Sequence, residues 1–74
     1  MHTDLLVKQR VQTGIRLAEQ AAEMERGGYF STASMLWSNA ANFPCKPLNR
    51  EWRLNRSHSC SSLADLRPEP EVTE

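Results

Sequence analysis

The sequence has no apolar run close to the ~20 residues that a transmembrane helix requires. Its first residues also lack the basic segment and the long apolar stretch of a signal peptide. Cysteine is scarce: Cys45 and Cys60 are the two present, and their spacing matches neither a metal site nor a disulfide framework. We therefore expect a cytoplasmic protein with two reduced thiols, no membrane contact and no metal or other cofactor.

Motifs that would indicate an enzyme are also absent. The sequence contains no glycine-rich phosphate loop, no Cys-x-x-Cys and no His-Glu-x-x-His. His58 and Cys60 lie two residues apart on a predicted helix, so their side chains point in different directions and do not form a nucleophile–base pair. The sequence therefore predicts that the protein is not an enzyme.

Charge is balanced overall but unevenly distributed along the chain. Residues 1–64 carry eight Lys and Arg against five Asp and Glu, whereas residues 65–74 carry one Arg against four acidic residues. The first part is therefore mildly basic, which is weaker than the positive footprint of a dedicated DNA-binding domain. Seventy-four residues allow one domain at most, and a domain of this size is marginally stable unless it oligomerises.

Glycine and proline divide the chain into three segments with helical periodicity. Gly27 and Gly28 interrupt the first segment, Pro44 ends the second, and Pro47 is well placed as the first residue of the third. The pattern predicts an all-α fold, a helical hairpin followed by a third helix, in one domain over 4–60. The predicted helices span about 4–26, 30–43 and 47–60, followed by a flexible acidic tail at 61–74, whose first residues are compatible with one or two more helical turns.

Apolar residues at helical spacing in the second and third segments predict the core. They recur three and four residues apart, which places them on one face of each helix. The predicted core residues are Phe30, Ala33, Trp37, Ala41, Leu48 and Trp52.

The first helix carries more apolar surface than a surface helix needs. Its apolar and small residues cover roughly 160°, compared with ~100° for a minimal amphipathic stripe. One interpretation is a face for self-association or for a partner protein; the other is a helix that is simply well buried or whose first two turns hang loose. The predicted partner or dimer residues are Leu6, Val7, Val11, Ile15, Ala18, Ala22 and Leu36.

Two further features of the first helix, a glycine and a charged face, each have more than one interpretation. Gly14 marks either a bend or close helix crossing, or a tolerated surface glycine. Glu25 belongs to a polar face at the end of the helix, together with Glu19, Glu23 and Arg26. That face is either solvated or meets a partner's basic patch.

Basic residues around the third helix are the candidates for direct nucleic-acid contact: Lys46, Arg50, Arg53 and Arg56. Arg50 and Arg53 are predicted to point outward. Arg56 lies one turn from Trp52, where it either stacks on the ring or covers the edge of the core. Direct DNA binding is the less favoured hypothesis, because Glu51 and the apolar stripe interrupt the basic residues and the connection between the helices is unlike that of a helix-turn-helix.

The hairpin resembles half of a tetratricopeptide repeat at Gly28, Phe30, Ala33, Trp37 and Ala40. A longer pattern, roughly A-x-x-x-E-x-x-G-x-Y/F-x-x-A-x-x-x-W-x-x-A-A followed by N-x-x-W-x-x-x-R-x-x-x-C, resembles the ANR family. These are the small AraC negative regulators of Gram-negative bacteria and their plasmids and phages. The resemblance covers about residues 15–60 and is carried by Ala21, Glu25, Gly28, Phe30, Ala33, Trp37, Ala40, Ala41, Asn49, Trp52, Arg56 and Cys60.

This resemblance implies a helical protein that forms a homodimer or higher homo-oligomer. It implies a function as an anti-activator, which binds an AraC/XylS-type transcriptional activator and keeps it from working, as a brake on a virulence regulon. The small PerC-type activators look similar over the same hairpin. This second resemblance supports the alternative hypothesis, a regulator that binds DNA directly through the basic third helix.

Overall fold

The computed structural model of the protein describes residues 2–70, with side chains from residue 4 onward. Three helices make up the fold: α1 at His2–Arg26, α2 at Phe30–Ala41 and α3 at Pro47–Leu66. The prediction of an all-α hairpin followed by a third helix is confirmed. No helix within the described residues is both long enough and apolar enough to cross a membrane.

The boundaries of α2 and α3 differ from the predicted ones for local reasons. α2 ends at Ala41 because Phe43 precedes Pro44, and a proline disfavours helical geometry in the residue before it. α3 continues six residues past the predicted end at Cys60, and Leu63 in this extension is half-buried. The helix stops where Arg67, which precedes another proline, adopts an extended conformation. Residues 71–74 of the predicted tail lie outside the described part of the chain.

The turn between α1 and α2 requires a glycine. Gly28 has φ +86°, in the left-handed region that side chains with a Cβ rarely adopt. The backbone N–H of Tyr29 donates to the Met24 carbonyl at 2.9 Å, and that of Gly28 donates to the Glu25 carbonyl at 3.1 Å. This pair of bonds is a Schellman motif, which closes the C-terminus of α1 and reverses the chain.

The three helices form a flat arrangement with α2 in the middle. α2 packs against both α1 and α3, whereas α1 and α3 approach each other at isolated points, and the fold measures 47 × 29 × 13 Å. A 12-residue helix is about 18 Å long and a 25-residue helix about 37 Å, so α2 can cover only about half of α1. Residues 4–10 at the N-terminal end of α1 are accordingly exposed.

The core is small and made mostly of small side chains. Ala21, Ala33, Trp37 and Cys60 form the buried cluster, and Phe30 is half-buried against it. The other partly buried apolar residues packed on this cluster are Ala18, Ala22, Met24 and Leu36. Ala40 and Ala41 are also buried, near the end of α2.

The structure corrects the predicted core in α3. Leu48 is 77% exposed and Trp52 is 57% exposed, so neither belongs to the buried cluster. The buried residues of α3 are Arg53 and Cys60, seven residues apart and therefore on one face of the helix. The face of α3 that packs against α2 therefore differs from the predicted face by about one residue, or ~100° around the helix axis. Arg53, which forms a hydrogen bond to α2, takes the place expected for Trp52.

Gly14 lies at a close crossing of α1 with the end of α2 and with α3. A Cβ at this position would lie 2.8 Å from the Phe43 Cβ and 3.0 Å from Arg53 Nη1. Real Cβ atoms do not come this close to their neighbours, so any larger residue would push the helices apart. Of the two interpretations of Gly14, the structure agrees with the close crossing.

Gly14→Ala is expected to destabilise the protein even though alanine favours helix formation. Overpacking costs about 1–3 kcal/mol, whereas the gain in helix propensity is at most about 1 kcal/mol. Urea unfolding should therefore show a lower midpoint for Gly14→Ala. The control is Gln12→Ala, at an exposed position of the same helix, for which the urea midpoint should be unchanged or higher. A higher midpoint for Gly14→Ala would contradict the close crossing.

Candidate functional site

A carboxylate near the end of α1 joins all three helices. Glu25 Oε1 accepts hydrogen bonds from Trp37 Nε1 of α2 at 3.0 Å and from Arg56 Nε of α3 at 3.3 Å. The Cys60 thiol of α3 donates to the same oxygen at 3.3 Å, and Glu25 Oε2 forms a salt bridge with Arg56 Nη2. The four residues are called the Glu25 cluster below.

The sequence pattern predicts Glu25 on a polar face that is solvated or meets a partner, and the structure corrects this. The carboxylate is turned inward, and its acceptors are occupied within the chain. All four residues of the Glu25 cluster belong to the pattern that carries the family resemblance. That part of the pattern therefore describes how the helices are joined. A sequence signal did exist, since a carboxylate, an indole N–H and a guanidinium are complementary hydrogen-bonding groups.

The two cysteines lie in different environments. Cys60 is fully buried, and this burial raises the pKa of its thiol, while the nearby charge of Arg56 acts in the opposite direction. A neutral thiol is also the form that donates a hydrogen bond to Glu25. Cys45 lies in the connection between α2 and α3 and is half-buried.

The basic residues of α3 are largely held by contacts within the chain. Arg53, predicted to point outward, is only 7% exposed, and its Nη1 donates to the Ala40 carbonyl at 2.8 Å. Arg50 Nε donates to the Ala41 carbonyl at 3.2 Å. Both arginines therefore bind the negative end of the α2 dipole, where orphan carbonyls need donors.

These contacts correct the predicted nucleic-acid surface. Arg56 is paired with Glu25, and Arg53 is 7% exposed and lies at the side of a groove, so neither lies on the open surface that a nucleic-acid backbone would contact. Arg56 also lies over the ring of Trp52 at 5.6 Å, as one of the two interpretations of this residue expected. Lys46 and Arg50 are exposed, so Arg50 lies at the surface as predicted, and two of the four candidates are open to solvent.

The predicted partner residues separate into two groups. Leu6, Val7 and Ile15 are exposed, and Val11 is half-buried. The remaining three, Ala18, Ala22 and Leu36, pack against the core and are corrected to structural positions. Leu5, which is not among the predicted partner residues, is 57% exposed, close to the 59% of Leu6. We call Leu5, Leu6 and Val7 the N-terminal apolar patch.

A groove separates the middle of α1 from the connection between α2 and α3. Its volume is about 420 Å³. Val11 and Ile15 form an aliphatic wall on the α1 side. The residues on the opposite side are Cys45, Lys46, Asn49 and Arg53.

Comparison of the chain with protein-family models, with curated protein sequences and with solved structures finds no match.

Glu25→Gln is expected to lower the stability of the fold. The amide keeps the shape of the side chain but removes the charge that pairs with Arg56, and a hydrogen bond to a charged group contributes about 1.5–3 kcal/mol. Chemical denaturation should show a loss of about this size. Glu23→Gln is the matched control because Glu23 is exposed on the same helix. Equal midpoints for the two variants would contradict the role of Glu25.

The two thiols are expected to react at very different rates. The thiolate is the nucleophile, and Cys60 is both fully buried and shifted toward the neutral form. Alkylation with iodoacetamide at neutral pH, followed by peptide mass spectrometry, should modify Cys60 at least about tenfold more slowly than Cys45. Sub-denaturing urea should accelerate the Cys60 reaction. Equal rates without urea would mean that Cys60 is not enclosed by the helices.

Proposed function

We propose that the protein is a cytoplasmic transcriptional regulator that acts by protein–protein binding and negatively regulates an AraC/XylS-type activator. The observation that carries the protein-binding part is the N-terminal apolar patch. Leu5, Leu6 and Val7 are consecutive large aliphatic side chains, and all three are exposed at the N-terminal end of α1, where residues 4–10 are all exposed. The identity of the partner class, and the virulence regulon that it would control, come from the resemblance to the ANR family.

The physical argument is that such a patch gains free energy when it is covered. Burying apolar surface is worth about 25 cal/mol per Å², and contiguous exposed apolar patches on small proteins commonly mark interaction sites. The patch also lies on a regular helix, so a partner does not need to order the backbone before binding. Because the three residues are consecutive, their side chains spread over about 200° of the helix, so a partner would have to enclose this helix end in a groove.

Self-association is the second part of the proposal. The small core leaves both the N-terminal apolar patch and the flat faces of the fold available to a second copy of the chain. A homodimer or higher homo-oligomer would cover this surface in the absence of the activator. Because the same residues would serve both contacts, activator binding is expected to compete with self-association.

Direct DNA binding through Lys46, Arg50, Arg53 and Arg56, the PerC-like alternative, has less support. Phosphate binding needs several exposed cations on one face. Arg53 is buried at the end of α2, and Arg56 is paired with Glu25. A gel shift with a steep salt dependence, lost when these side chains are neutralised, would favour this alternative over the proposal.

Leu6→Asp is expected to abolish repression while leaving the fold intact, because Leu6 is exposed and makes no core contact. The assay combines a reporter driven by the AraC/XylS-type activator encoded nearest to this gene with a pull-down of that activator. The wild-type chain should capture the activator and reduce reporter expression. Gln9→Asp, another exposed position of the same helix, is the matched control and should behave as wild type.

Two results would contradict the proposal. One is a wild-type chain that captures no activator at micromolar concentration. The other is a Leu6→Asp variant that represses as well as the wild type, which would place the contact elsewhere. Circular dichroism of each variant establishes that a loss of binding is not a loss of helix.

A further inference from the structure

The groove beside α1 has an unusual combination of charge and apolar surface. Val11 and Ile15 provide aliphatic side chains, and the charged residues that line the groove, Lys46 and Arg53, are both positive. No acidic residue contributes to its lining within the described residues. Among residues 4–70, the salt bridge is between Glu25 and Arg56. Within these residues, neither Lys46 nor Arg53 is therefore paired with a carboxylate.

Arg53 is the distinctive member of this groove. Its side chain is more than nine-tenths buried, so the positive charge of its guanidinium is largely shielded from solvent. The structure gives it one hydrogen bond, from Nη1 to the Ala40 carbonyl. Arg53 lines the groove, and its other guanidinium nitrogens are not completely enclosed, since the described residues contain no fully buried side-chain nitrogen without a hydrogen-bond partner.

A guanidinium in this position favours a carboxylate as its ligand. The carbonyl of Ala40 supplies only part of a negative charge, whereas a carboxylate accepts two N–H groups of arginine at once and forms stronger, charge-assisted bonds. Lys46 at the exposed rim adds a second positive charge. The aliphatic wall of Val11 and Ile15 disfavours a nucleic acid, which would need further exposed cations rather than apolar contacts.

We propose that this groove binds a segment of a partner protein that presents a carboxylate side chain next to an aliphatic one. The carboxylate pairs with Arg53 and Lys46, and the aliphatic side chain packs against Val11 and Ile15. The existence of a partner rests on the proposed function, which this inference deepens by stating the chemistry that the partner must carry. The site extends the contact from the N-terminal apolar patch along α1 toward the centre of the fold.

Cys45 provides a reporter for this groove because it lies in the lining and is half-buried, whereas Cys60 is enclosed in the core. An occupant of the groove should slow the alkylation of Cys45 by iodoacetamide, and peptide mass spectrometry measures this rate separately from that of Cys60. The probes are three capped peptides, acetyl-Leu-Glu-Leu-amide and its counterparts with Gln or Lys in the middle. They differ only in the charge of the central side chain.

The glutamate peptide should protect Cys45 at a concentration roughly tenfold lower than the glutamine peptide, because a hydrogen bond to a charged group is stronger than a neutral one. The lysine peptide should not protect it. Lys46→Glu should raise the required concentration of the glutamate peptide roughly tenfold relative to wild type. Lys8→Glu, at an exposed position of α1 outside the groove, is the matched control and should not change it.

Equal protection by the glutamate and glutamine peptides would overturn the inference, as would unchanged protection in Lys46→Glu. Each rate is compared with that of the same variant without peptide, since Lys46 also neighbours Cys45. Arg53→Lys provides a second variant if it folds, and should weaken protection because lysine cannot form the bidentate pair. Protection that rises with protein concentration alone would make a second copy the occupant and would overturn the choice of partner.

The same assay separates this inference from the proposed function. If the activator is captured but leaves Cys45 alkylation unchanged, the proposed function stands and the groove inference fails. If the glutamate peptide protects Cys45 but the activator is not captured, the groove chemistry stands and the activator is the wrong partner.

Discussion

The Glu25 carboxylate is the interaction on which the arrangement of the helices depends. α1 and α3 approach each other only at isolated points, and Glu25 connects α1 to both α2 and α3 by accepting from Trp37, Arg56 and Cys60. Because the core consists mainly of alanines, this polar cluster supplies specificity that large apolar side chains provide elsewhere. It lies at the turn end of α1, so the opposite end of that helix is free of such constraints.

A second set of polar contacts fixes the other end of α2. Arg50 and Arg53 donate to the last carbonyls of that helix, and Gly14 allows α1 to come close beside them. Together the two sets engage all three cationic side chains of α3, Arg50, Arg53 and Arg56, in hydrogen bonds within the chain. The N-terminal apolar patch and the groove at Val11 and Ile15 are the surfaces proposed for a partner, and α3 exposes further apolar side chains at Leu48 and Trp52.

The sequence was sufficient for the architecture because glycine and proline determine backbone geometry locally. Gly28 at a positive φ and the prolines before α3 placed the helices within a few residues of their observed bounds. The face of α3 was wrong because apolar character argued for Leu48 and Trp52, whereas Arg53 is buried. Arg53 donates to a backbone carbonyl on another helix, and a backbone carbonyl is present in every residue, so the sequence pattern does not indicate this contact. Glu25 was misplaced for the related reason that its three partners come from two other helices.

The central claim is that a protein partner covers the surface that this small fold leaves open. Sedimentation equilibrium on the purified chain, with and without the AraC/XylS-type activator encoded nearest to its gene, tests it most directly. The account predicts a self-associated species for the chain alone and a heavier complex when the activator is present. A chain that sediments as a monomer in both experiments would contradict it.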